Sequence, residues 1–359
     1  MKTVQIELSN EDKIYPNISL TKDFNLDYKY INQSEFFDLQ KQKNKIFESK
    51  EWDKTKKFSN DYELIHIPNK RSKSDSVALY QPLSRSYFKM IEIIKDFNLI
   101  IKDNKISFIS SHLAEGPGGF MEACYNISHK LDFDYYSHYG ITLFSSNKDI
   151  PGWNKAQEFI YNNNDIKICY GEDKTGNLYN SDNILNFIDN VGRANCDLVT
   201  ADGGFDFSIN FNKQELLSYR LILCEIVTAL GIQKIGGSFI CKFFDLYSIA
   251  TIKLLFLLNS FYEEVHITKP LTSRPANSEK YIICKHFYGI SDKVLDNFRN
   301  NLILWDKFEK KDIFAISLLD EYNKNIKLKE EIKSINEKIQ NNQISYINQT
   351  INLINIPYN

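Results

Sequence analysis

The sequence predicts an α/β fold built on a mostly parallel sheet, and three features carry that prediction. Seven short β-rich runs alternate with helical patterns between residues 105 and 288: "KISFISSHL", "YYSHYGITLF", "DIKICYG", "CDLVTADGG", "GGSFICKFF", "EEVHITKP" and "KYIICKHF". Strands that alternate with helices in this way lie parallel, joined by crossovers. A glycine-rich turn, "HLAEGPGGFMEA" at residues 112–123, follows the first run and opens a helix. Between the last two runs there is only a linker containing a turn, so these strands are expected to pair antiparallel.

The helices follow from spacing. In "GGFMEACYNISHKL" the residues Phe120, Ala123, Cys124, Ile127 and Leu131 fall on one stripe, while "QELLSYRLILCEIVTALGI" is apolar over a wide arc. Upstream, "SRSYFKMIEIIKDFNLI" places Tyr87, Met90, Ile91, Ile94 and Phe97 at helical spacing, with Ser84 or Ser86 available as N-cap. Residues 1–80 are lysine-rich, with a basic stretch "KQKNKIFESKEWDKTKKF" studded with aromatics, and residues 291–359 read as helical and then Asn/Gln-rich. Both ends are read as extensions of one α/β domain spanning residues 81–290.

Composition narrows the class. The 359 residues suffice to bury a large core unaided, and 43% hydrophobic with 25% charged residues is the balance of a globular chain. A net charge of −2 argues against a uniformly basic coat for nucleic acid and leaves room for a local basic channel. The six cysteines (124, 169, 196, 224, 241 and 284) form no C-x-x-C pair and sit mostly in apolar runs, which suggests buried reduced thiols in a reducing compartment and no metal site. The start of the chain lacks an apolar signal-like region, and the longest apolar run, around "LLFLLNSFY", is too short for a membrane span. An intracellular protein without a membrane partner is expected.

A turn after the first strand of such a sheet lies at the carboxyl edge, where open α/β sheets bind ligands. A dinucleotide fingerprint would need G-x-G-x-x-G, but Met121 stands where the third glycine belongs, which disfavours a nicotinamide-dependent dehydrogenase. No Gly-Lys-Ser/Thr follows, so the phosphate-binding P-loop pattern fails too. Glycines serving only a tight strand-to-helix turn are the plain alternative.

"EGPGGF" after an apolar strand resembles the S-adenosylmethionine loop of the FtsJ-type ribose 2′-O-methyltransferases. That family carries a lysine on the helix before the first strand, an aspartate ending the fourth strand, a lysine on the fifth and a glutamate opening the last. "SRSYFKM" supplies Lys89, "VTADGGF" Asp202, "FICKFFD" Lys242 and "SRPANSEKYIIC" Glu279, in that order. "ADGGF", "GGSFICKFFDLY" and "KPLTSRPANSEKYIICK" are most similar to the mRNA cap-specific 2′-O-methyltransferases of eukaryotes and viruses, over roughly residues 84–288. The resemblance implies a Rossmann-like seven-stranded sheet with its last strand antiparallel, and S-adenosyl-L-methionine as cofactor. It implies methylation of the ribose 2′-hydroxyl at the first transcribed nucleotide of capped mRNA, in the cytoplasm or nucleus. Candidate partners beyond the RNA are other capping enzymes or an RNA polymerase. The same chemistry on ribosomal or transfer RNA, and a non-catalytic RNA-binding capping subunit, are the alternatives.

Residue roles follow from the same resemblance. The cofactor is expected against Ser84, Glu115, Gly116, Pro117, Gly118, Gly119, Phe120, Thr142, Asp173, Asn177 and Asp202. Asn177, in "YGEDKTGNLY", is a departure, because the family usually has an aspartate there. Methyl transfer to an alcohol requires alignment and removal of a proton from a weak acid. The resemblance implies Lys242 as proton acceptor, Asp202 and Glu279 as the carboxylates that hold the lysines, and Lys89 as the group positioning the 2′-hydroxyl. A second ammonium nearby is expected to pull the Lys242 pKa down by like-charge repulsion. In the linker "TKPLTSRPANSE", Lys269, Arg274, Asn277 and Ser278 are candidates for substrate contacts, and a plain turn role is equally compatible. Trp52 suits stacking on a cap base, a contact worth roughly 1–3 kcal/mol, with a place in the core as its alternative.

Overall fold

The structure, a computed structural model, describes residues 4–6, 18, 20–22, 30–67, 76–147, 150–204, 211–307, 314–316 and 326–356. Seven strands form the expected sheet: β3 (Ser107–Leu113), β4 (Tyr135–Ile141), β5 (Ile166–Cys169), β6 (Cys196–Ala201), β7 (Gln233–Phe243), β8 (Tyr262–Thr268) and β9 (Lys280–Phe287). Their spatial order is β8-β9-β7-β6-β3-β4-β5. The pairs β3/β4, β3/β6, β4/β5 and β6/β7 are parallel, and β9 runs antiparallel between β7 and β8. The short linker between β8 and β9 dictates that reversal. An eighth strand, β1 (Val4–Ile6), adds antiparallel to the β8 edge. The segment lies in the N-terminal extension, where no strand of the sheet is expected from sequence. Two further short strands, β2 (Leu20–Lys22) and β10 (Phe314–Ile316), pair with each other.

Helices cover both faces of the sheet. On one side α3 (Ser86–Phe97) and α4 (Gly119–Lys130) pack together, burying Met90, Ile94, Phe97, Phe120, Ala123 and Cys124, with Tyr87, Ile91, Ile127 and Leu131 at the margin of the same cluster. This is the stripe spacing required. The N-cap of α3 differs from expectation: Arg85 occupies it without a side-chain cap, because the Ser84 and Ser86 hydroxyls bond one another at 2.5 Å. On the other side lie α6 (Ser181–Val191), α7 (Gln214–Ile232) and α8 (Ile249–Phe261), with α9 (Asp292–Asp306) outside α7. Nearly all of α7 and α8 is buried, as their all-round apolar sequences demand.

Helices that precede and follow the sheet in sequence pack together. The helix α1 (Gln33–Glu48), the short α2 (Trp52–Thr55) and the long α10 (Ile326–Ile354) pack on each other and bury Phe36, Leu39, Ile46, Trp52 and Ile347 against Tyr247, which follows β7. Among the described residues all six cysteines are free, five of them buried, and no helix is long and apolar enough to cross a membrane.

Candidate active site

The glycine turn leaves β3 at Leu113 and enters α4 at Gly119, through a cis Gly116–Pro117 bond and Gly118 at φ 104°, a left-handed conformation that disfavours any side chain. Gly119 is required for a different reason. A Cβ there would lie 2.3 Å from both the Ser84 and Ser86 hydroxyls, so its absence lets the start of α3 close on the turn. Glu115 faces inward, only 3% exposed: it accepts the Met121 N–H at 3.0 Å and the Thr200 hydroxyl at 2.5 Å, with His112 at 3.2 Å. Burial pushes its carboxyl well above the ordinary value, and burial pushes His112 down to about 3. Glu115 thus shapes the turn from beneath, while Thr142 accepts the Gly116 N–H at 3.3 Å. Phe120 is fully buried with its ring 5.6 Å from that of Tyr281.

Beyond β5, Asp173 accepts from Thr175, Asn180 and Asn183, and these hydrogen bonds, outweighing burial, hold it down to about 2. Asn177 keeps its side-chain oxygen on the Tyr179 N–H at 3.0 Å. Both side chains therefore organise their own loop at the carboxyl edge.

The four candidate catalytic residues converge at this edge, each with a side chain 12–13% exposed. Lys89 from α3 lies 2.6 Å from Glu279. Lys242 from β7 donates to the Asp202 backbone carbonyl at 2.7 Å and lies 3.2 Å from Asp202 Oδ1. Glu279 also accepts the Ser273 hydroxyl at 2.6 Å. The electrostatics differ from the expectation of two lysines repelling each other. Burial pulls the Lys242 pKa down, but Asp202 and Glu279 outweigh it and raise the net value above that of an ordinary lysine. Burial pushes Glu279 up, and Lys89, Lys242 and Lys269 reverse this to hold it far below the usual carboxylate range. The resting cluster is two interleaved ion pairs, with Lys242 an ammonium.

The linker residues are committed within the protein. Lys269, 8% exposed, gives its three protons to Asn277 O, Asn277 Oδ1 and Glu279 O at 2.8, 2.6 and 3.0 Å, and burial pulls its pKa down to about 7. Arg274 forks onto Glu63 at 3.0 and 2.7 Å, and Arg85 reaches the same carboxylate at 2.9 Å. Ser278 lies between Asp245 and Gln343. These contacts fold the linker onto α3 and α10, leaving Arg274 with 35% of its side chain open to solvent. Trp52 is 8% exposed in the cluster with Phe36 and Tyr247, its bland alternative, although it also lines a cavity of about 120 Å³ with Lys56, Arg274 and Ala276.

Two features escaped sequence reading. The Tyr281 hydroxyl donates to Asp202 Oδ1 at 2.8 Å and accepts from Lys89 at 3.4 Å. Its position two residues after Glu279, at the start of β9, was the available signal. Behind the site, Lys43 of α1 meets Asp245 at 2.6 Å, and Lys280 lies 3.6 Å from the same aspartate. Nothing local in the sequence couples residues so far apart.

A positive-φ glycine at the head of a three-turn helix, with carboxylates and hydroxyls at the ends of β4, β5 and β6, suits a ligand bearing both an amino acid and a nucleoside. Residues 82–287 match the family described as FtsJ-like methyltransferase, and the chain belongs to it. It is 36% identical over 203 residues to cap-specific mRNA (nucleoside-2′-O-)-methyltransferase 1 of Homo sapiens, a stretch covering 54% of this chain and 23% of that protein. The protein of the same name from Dictyostelium discoideum is 38% identical over 188 residues (48% and 24%), and cap-specific mRNA (nucleoside-2′-O-)-methyltransferase 1A of Caenorhabditis briggsae 32% over 252 residues (67% and 28%). The chain therefore spans about a quarter of the length of these curated relatives.

Proposed function

We propose that this chain methylates the ribose 2′-hydroxyl of the first transcribed nucleotide of capped mRNA, with residues 81–290 as the catalytic domain and both ends as extensions of it. The observation that carries the reading is the convergence of Lys89, Asp202, Lys242 and Glu279 into one partly open cluster beside the glycine turn. The likeness of residues in this region to cap-specific enzymes supports the choice of capped mRNA over ribosomal or transfer RNA. An intracellular, reducing location is part of this proposal, in keeping with the apolar setting of five of the six thiols.

S-adenosylmethionine, when bound, supplies an activated methyl group; the glycine turn, Thr142 and Asp202 are the residues that would hold it. Lys89, fixed by Glu279, positions the ribose hydroxyl. Lys242 accepts its proton, and since Lys242 rests as an ammonium, it must first release one to solvent. Asp202 sets how firmly that resting proton is held. Rates should therefore rise with pH until Lys242 is largely neutral and then level off.

The test is methyl transfer to RNAs of one sequence, capped and uncapped, with cofactor binding followed by calorimetry. Capped RNA should react faster. Lys242→Arg should nearly abolish turnover while cofactor binding survives, since a guanidinium cannot release its proton in this range. Near-normal turnover by that variant would remove Lys242 as the base. Activity confined to ribosomal or transfer RNA would overturn the substrate.

A further inference from the structure

Tyr281 belongs to neither ion pair, yet it touches both. In the antiparallel ladder it lies directly opposite Lys242 as the second residue of β9, and Glu279 immediately precedes that strand. Its ring is fully buried against Phe120, so the hydroxyl cannot swing to solvent. That hydroxyl donates to Asp202 Oδ1 at 2.8 Å and accepts from Lys89 at 3.4 Å, linking Lys89–Glu279 to Asp202–Lys242 through one phenol.

We propose that Tyr281 is a positioning residue for methyl transfer, whose hydroxyl fixes the Asp202 carboxylate and loosens its hold on the Lys242 proton. The proposal rests on the reading of Lys242 as base. Asp202 Oδ1 receives two donors, the phenol at 2.8 Å and the Lys242 ammonium at the longer 3.2 Å. A hydrogen bond to a carboxylate draws off part of its charge, so the phenol weakens the field that keeps Lys242 protonated. Burial, reinforced by Asp202 and Glu279, pushes the phenol far above its ordinary pKa, so it remains a donor across the working range. The other ionisable groups facing it are Lys89 from α3, Lys242 from β7 and Glu115 from the glycine turn; Phe120 of α4 carries no charge. In the reaction the ribose O–H would give its proton to Lys242 Nζ as its oxygen takes the methyl group that the cofactor, when bound, would supply.

The experiment uses the full chain in single-turnover methyl transfer to capped RNA from pH 6 to 9.5, comparing wild type with Tyr281→Phe, which keeps the ring on Phe120. Because Lys242 is held above an ordinary lysine, the rate should climb through the whole range, and the phenylalanine variant should run roughly tenfold lower along that climb, a displacement of the limb by about one pH unit. Cofactor affinity and the thermal midpoint should stay near wild type. Replacement of Tyr281 by 3-fluorotyrosine, an isosteric and more acidic donor, should move the limb downward, and it serves if the phenylalanine variant fails to fold. An unmoved limb for Tyr281→Phe, or a 3-fluorotyrosine protein no faster than wild type, would show a packing role only and overturn the proposal. A Lys242→Arg control separates the two readings. If that variant turns over normally, Lys242 is not the base and the proposal falls with it; if it is inactive and the Tyr281 limbs do not move, the proposal alone falls.

Discussion

Replacing Lys43 by methionine tests whether the N-terminal helix is a structural part of the catalytic edge. Lys43 and Asp245 meet at 2.6 Å with side chains 4% and 7% exposed, and the aspartate follows the strand that carries Lys242. Burial pushes the Asp245 carboxyl up, and Lys43 and Lys280 together hold it below the ordinary carboxylate value. Removing one partner of a buried pair costs roughly 3–5 kcal/mol, because the other charge is left without compensation. Here Lys280 remains 3.6 Å from Asp245 and Ser278 remains at 3.4 Å, so the low end applies, about 3 kcal/mol. For a chain of this size that corresponds to a fall in thermal midpoint of about 4 °C. Lys280 also donates to Phe244 O and Ser278 O, beside Glu279, so the methyl-transfer rate should fall with stability. Calorimetric melts of Lys43→Met, Asp245→Asn and the double variant give the coupling directly, and the double variant should recover about 2 kcal/mol relative to the sum of the singles. A midpoint within a degree of wild type for Lys43→Met, or strict additivity, would refute the argument that this ion pair anchors α1.

Two further outcomes follow from the same geometry. Gly119→Ala forces a Cβ to 2.3 Å from two serine hydroxyls, and should cost about 2 kcal/mol by overpacking and weaken cofactor binding. Adding Ser84→Ala and Ser86→Ala should restore part of the melt, whereas an unchanged melt for the single variant would show that α3 yields freely. Glu63 is drawn down from 4.5 to about 2: burial opposes the shift, and hydrogen bonds from Arg274 and Asn60 with the charge of Arg85 prevail. A lowered carboxyl stabilises the fold above its unfolded pKa and loses that contribution as pH falls through the folded value. Wild type should therefore exceed Glu63→Gln by about 2 kcal/mol near pH 7, allowing for solvent screening, with the gap closing between pH 4.5 and 2. Urea melts that keep a constant gap over that range would contradict the assignment.

The sheet was legible because its strands are short β-rich runs and most of its crossovers contain a helix of recognisable period, signals carried by a few consecutive residues. The antiparallel β9 was legible from a linker too short for a crossover. Lys89, Asp202, Lys242 and Glu279 could be picked out, in order, by their resemblance to a family pattern, each standing at the end or face of a recognisable element. Which charge each of them meets was not legible. Lys89 pairs with Glu279 and Lys242 with Asp202, while a phenol joins the pairs, so the second lysine does not depress Lys242; carboxylates instead keep it protonated. Lys269 and Arg274, polar in sequence and apt for phosphate, turn inward to carbonyls and to Glu63, a residue 211 positions from Arg274. Lys43 finds Asp245 across 202 positions. Local propensity acts over a few residues, so the chain's own letters determine strands, helices and the glycine turn. The partner of a charge is selected by packing, which brings distant segments into a low-dielectric interior where every ionised group must be compensated, and only the tertiary structure decides that pairing.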